Sequence, residues 1–152
     1  MNQKFEKALD SLQKISDESV KMEPTYIMWI AKCHIMIGAT DDAWKCLDTE
    51  DRTVTYELLQ LIANDCYKKG GFQFIYSARA FRELYEIDKF QNYLNGFIGA
   101  CVGYFRYYLA QIRVSETVCE DTDILKEVIE TLKACPSPKC RSVAETIQNW
   151  LA

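Results

Sequence analysis

Only three prolines, six glycines and one histidine occur among 152 residues. So little proline leaves helix interiors scarcely interrupted and confines the breaks to the neighbourhood of Pro24, Pro136 and Pro138. With a single histidine and no CxxC pair, the four convergent ligands of a structural zinc site are missing, and no metal or other cofactor is expected. No run of about 18 to 20 apolar residues is present. The beginning, MNQKFEKALD, is polar and charged from its second residue, so neither a membrane span nor a secretory signal is expected. Lysine and arginine form no block that would track phosphates, and the net charge is -4, so nucleic acid is not an expected partner.

Hydrophobic residues make up 49% of the chain and charged residues 26%, a globular balance and not a disordered one. A chain of this length is one domain's worth and hides roughly two thirds of its unfolded surface. The seven cysteines are odd in number and scattered through apolar patterns, as expected of thiols in a reduced intracellular compartment.

Apolar residues recur at spacings of three and four: Phe5, Ala8, Leu9, Leu12 and Ile15; Ile27, Ile30, Ala31 and Ile35; Leu59, Ile62, Ala63, Cys66 and Tyr67. This period predicts an all-α chain, with helices over 3–15, 24–37, 41–47, 53–69, 75–86, 92–112, 121–134 and 138–151. Gly38 and Gly70 stand where helices should stop. Asp41 can cap its own helix, and Ser137 before Pro138 reads as an N-cap followed by a first-turn proline.

Ile27, Ile30, Ala31, Gly38, Ala43 and Leu47 fall at the apolar, small, glycine, small and large places of a unit similar to the tetratricopeptide repeat. Leu59, Ile62, Ala63 and Gly70 repeat the pattern and, after a short insertion in GFQFIY, Ser77, Phe81, Leu84 and Asp88 continue it. The expected organisation is a single helix-turn-helix solenoid over 1–152. It has the second helix of a truncated repeat at 1–20, repeats at 24–52 and 53–88, a degenerate repeat at 92–134 and a capping helix at 137–151. The first of these segments implies a fragment or a truncated start. In such a stack the first helix of each unit lines a concave trough, which here assigns Met28, Lys32, Ile35 and Met36, then Gln60, Asn64, Tyr67 and Lys68. Of these, Lys32, Met36, Gln60, Asn64, Tyr67 and Lys68 are the candidate protein-binding residues. An asparagine and two lysines facing one trough partly resemble a clamp for a peptide carboxylate; they equally suit a solvated helix face.

WIAKCHIMIG, LLQLIANDCYKKG, YSARAF and GACVG resemble the C-terminal region of the intraflagellar transport protein 56 family, tetratricopeptide-repeat subunits of intraflagellar transport complex B. The resemblance runs over residues 26–150. It implies a non-enzymatic scaffold and adaptor in the cilium or flagellum, at the basal body and in the cytoplasm. The partners it implies are other complex B subunits and ciliary motility cargo proteins, and the implied role is support of cilium assembly. Two connections depart from the family pattern by their length: GGFQFIY and the acidic SETVCEDTD.

Two further readings compete with the scaffold. One is a peptide-binding co-chaperone domain of the same repeat class. The other is a small thiol enzyme built on Cys66, His34 and Asp65, the two former at equivalent places of successive repeats. A nucleophile and its base must meet at about 3 Å, whereas packed helix axes lie about 8 to 10 Å apart, and a thiol buried among apolar groups is inert. No catalytic residue is therefore assigned. Cys135 and Cys140 in CPSPKC read as incidental thiols on a helix-helix turn. Gly96, Gly99 and Gly103 lack the following Lys-Ser/Thr of a phosphate loop and read as a close-packing stripe. Tyr104, Phe105, Tyr107 and Tyr108 read as core or trough lining, because a base-stacking platform would want more cations than Arg106 and Arg113.

Overall fold

A computed structural model describes residues 2–114 and 122–151. Its elements are α1 (Asn2–Gln13), α2 (Glu18–Lys21), α3 (Pro24–Met36), α4 (Thr40–Lys45), α5 (Arg52–Lys69), a 3-10 turn (Gly71–Gln73), α6 (Phe74–Ile87), α7 (Gln91–Val114), α8 (Thr122–Ala134) and α9 (Pro138–Leu151). No strand occurs among the described residues, and the chain is all-α. Cys119 and residues 115–121 of the acidic connection lie outside the described residues.

Helix boundaries follow local chemistry. Asp51 caps α5 by accepting from the backbone N–H groups of Thr53 (3.0 Å) and Val54 (3.4 Å). Gly38 and Gly70 end α3 and α5 at positive φ, +88° and +68°, where a side chain would be strained. Two readings need correction. Helix α1 stops at Gln13, so Ile15 lies beyond it, and the four-residue α2 follows because Asp17 accepts from the Ser19 N–H at 3.0 Å. Asp41 does not cap α4: Ala39 occupies that place, and Asp41 in the first turn accepts instead from the Tyr76 hydroxyl.

The small places behave as close packing requires. Ala31, Ala43, Ala63 and Ser77 are fully buried, and Ser77 Oγ donates to the Ala63 carbonyl at 2.7 Å, which only a short side chain permits. Leu58, Ile62, Leu84, Leu125, Leu132 and Ile147 fill the space between helices. Each helix packs chiefly on its chain neighbours: α3 on α1, α4 and α5, α6 between α5 and α7, and α8 against α9. The insertion in GFQFIY becomes the 3-10 turn. Its buried Gln73 donates to the Ile35 carbonyl (3.4 Å), which also accepts from the Gly38 N–H (3.1 Å), while Lys69 donates to that of Met36 (3.1 Å), so the end of α3 is tied to the next helix pair.

Gly96, Gly99 and Gly103 form one stripe of α7. A Cβ at Gly96 would lie 2.7 Å from the Phe81 ring, one at Gly103 2.7 Å from Phe74, and one at Gly99 2.8 Å from the Tyr67 hydroxyl. The stripe admits aromatic rings of α5 and α6 against the α7 backbone. On α9, Cys140, Ala144 and Ile147 turn inward. Trp150 is 46% exposed and touches Phe105 and Tyr108 edge-on.

Candidate protein-binding trough

Helices α3 and α5 lie side by side and leave a cavity of about 250 Å³ between Met28, Trp29 and Lys32 on one wall and Glu57 and Leu61 on the other. A second hollow of about 320 Å³ continues along α5 past Gln60, Asn64 and Asp65. Together they form a trough with an apolar floor and polar edges.

Lys32 is on this face but is not a free cation, because Asp65 Oδ2 holds its ammonium at 3.3 Å and the Asp65 side chain is only 12% exposed. Gln60 turns toward α7: its Nε2 donates to the Tyr93 hydroxyl at 3.0 Å, and that hydroxyl shares a 2.6 Å hydrogen bond with Tyr56. Asn64 bonds back to the Gln60 carbonyl at 2.9 Å, which leaves its amide oxygen on the surface. Tyr67 is half-exposed and leans over Gly99, edge-on to Phe74 (5.4 Å) and Phe81 (6.4 Å). Lys68 is fully on the surface, whereas Met36 is half-buried at the end of α3. Ile35, read as trough lining, belongs to the core with no exposed surface, because α1, α4 and α5 enclose α3 on several sides.

Asp65, Glu57 and Trp29 line the trough, Tyr93 holds Gln60 beside it, and all four escaped the reading from sequence. One signal could have found two of them. Lys32 meets Asp65, Gln60 meets Tyr93, and Lys69 meets the Met36 carbonyl, each across 33 residues of sequence. That separation is close to the length of one tetratricopeptide unit, about 34 residues.

The opposite face carries a second arrangement. Tyr76 donates to Asp41, Arg79 sits 5.5 Å over the Tyr76 ring, and Arg79 Nε and Nη2 donate to the two Glu127 oxygens at 2.9 and 2.8 Å. This chain of contacts ties α4, α6 and α8 together beside a cavity of about 220 Å³. The hydrogen bond to Arg79 holds the Glu127 carboxyl below its usual range, and burial with the bond to Asp41 pushes the Tyr76 hydroxyl up to about 12.

The thiol reading named Cys66, His34 and Asp65. Burial, reinforced by the neighbouring Asp65 charge, pushes the Cys66 thiol up to about 12. His34 Nδ1 is buried without a hydrogen-bond partner among the described residues, and Asp65 is engaged by Lys32. Burial likewise raises the Cys33, Cys46 and Cys101 thiols, so none of these is poised as a thiolate. Among the described residues no three His, Cys, Asp or Glu side chains converge as a metal site, and no helix is long and apolar enough to cross a membrane.

A family model described as intraflagellar transport protein 56 matches residues 1–152. The chain belongs to that family. An intraflagellar transport protein 56 homologue of Caenorhabditis elegans is 28% identical over 126 residues, which cover 82% of this chain and 21% of the relative. The match thus spans about a fifth of that intraflagellar transport protein's length.

Proposed function

We propose that this chain is a non-enzymatic interaction module of intraflagellar transport complex B. In this reading it supports assembly of the cilium or flagellum and carriage of motility cargo, and it acts there, at the basal body and in the cytoplasm. Its trough receives an extended or helical segment of another complex B subunit. The repeats are 24–52 and 53–88, followed by the degenerate unit 92–134 and the capping helix 137–151.

The observation that carries this reading is the recurrence of side-chain bonds at a separation of 33 residues. Stacked repeats place equivalent residues side by side, and such stacks use their first helices as a binding face. The co-chaperone alternative is weaker, because a carboxylate clamp needs a free lysine and Lys32 is committed to Asp65.

The double variant Asn64→Arg with Lys68→Glu tests it, since both side chains lie on the surface and the fold should keep its melting temperature. Loss of co-purification with complex B from ciliated cells is the expected result. Retained co-purification would move the interface elsewhere.

A further inference from the structure

We infer that the cavity between Trp29 and Glu57 is an arginine receptor: it takes the side chain of one arginine presented by the protein segment that docks in the trough. This inference rests on the trough reading above. Trp29 is 53% exposed, an unusual position for the largest apolar side chain, and its indole forms part of the cavity of about 250 Å³. The other walls supply methylene-compatible surface from Met28 and Leu61.

The charge balance selects the occupant. Lys32 reaches the same cavity, but Asp65 neutralises it at 3.3 Å. Glu57 has no ion pair among the described residues, so it is the uncompensated charge of the lining. The start of α3 only partly offsets this sign, because Pro24 offers no N–H and the roughly half-unit positive charge of a helix N-terminus is smaller than that of a carboxylate. An occupant that stacks a planar cation on indole, donates to a carboxylate and lays an aliphatic stem over Met28 and Leu61 is an arginine. Lysine has the charge but neither the plane nor the fork.

Photocrosslinking in reconstituted complex B tests the assignment, with p-benzoylphenylalanine placed at position 29 or, in a parallel protein, at position 68. Position 29 should capture a complex B segment that carries an arginine beside the crosslinked residue. Glu57→Lys should then weaken binding of that subunit by about tenfold while the melting temperature stays unchanged, and Arg→Glu in the captured segment should restore it. Capture of a segment without a basic residue, or full binding by both Glu57→Lys and Glu57→Gln, would overturn the arginine receptor. Crosslinks from 68 but none from 29 would overturn it and leave the trough reading intact. Silence at both positions in an assembled complex would sink both.

Discussion

Arg79 and Glu127 meet through two parallel hydrogen bonds, 2.9 and 2.8 Å, that join α6 to α8 across 48 residues of sequence. Both side chains keep more than a third of their surface in water, so solvent screening limits the pair to about 1 kcal/mol even with paired geometry. Glu127 is held below its usual range when folded. A depressed folded value means the contribution is present above the unfolded value, near 4.5, and fades as pH falls through the lower folded one. Urea unfolding of Glu127→Gln should therefore differ from the parent at pH 7, and the difference should shrink as the pH is lowered below about 4.5. A difference that persists undiminished at pH 3 would assign the effect to packing.

The glycine stripe of α7 should respond unequally to a single methyl group. At Gly103 the new Cβ meets the Phe74 ring at 2.7 Å, and overpacking of that kind costs about 1 to 3 kcal/mol. At Gly99 the obstacle is the movable Tyr67 hydroxyl, so Gly99→Ala should stay within about 1 kcal/mol of the parent, helped by alanine's helix preference. Gly99→Leu, which has no such escape, should lower the melting temperature. Thermal melts of the three variants decide, and equal losses for Gly99→Ala and Gly103→Ala would refute the account.

Thiol labelling should follow exposure. Cys46 and Cys135 are partly exposed, whereas Cys33, Cys66, Cys101 and Cys140 are buried. Among these six cysteines, native protein treated with iodoacetamide at pH 8 and digested for mass spectrometry should carry label first on Cys46 or Cys135, with Cys66 modified only on unfolding. Rapid preferential labelling of Cys66 would revive the thiol-enzyme reading.

Lys32→Glu should destabilise the fold before it says anything about binding. It faces the Asp65 carboxylate with a second one in a poorly solvated place, at a cost of about 1 kcal/mol or more. Lys32→Glu combined with Asp65→Lys should recover most of the lost stability in a denaturant titration. Failure to recover would mean that Lys32 matters through its stem and not its charge.

The amino-acid sequence by itself determined the helices and the small places between them. Ala31, Ala43, Ala63 and Ser77 are legible because a helix repeats every 3.6 residues and a close approach tolerates only short side chains. The glycine stops at Gly38 and Gly70 are legible for an equally local reason, since only a residue without Cβ takes positive φ freely. What faces a helix from outside is not local, and there the tertiary structure decided. Ile35 has a helical position compatible with the trough, yet neighbours on several sides of α3 bury it. Lys32, read as lining the trough, is engaged there by Asp65, 33 residues away, because α3 and α5 lie side by side. Periodicity says which residues share a face; only the packing of helices says what each face meets.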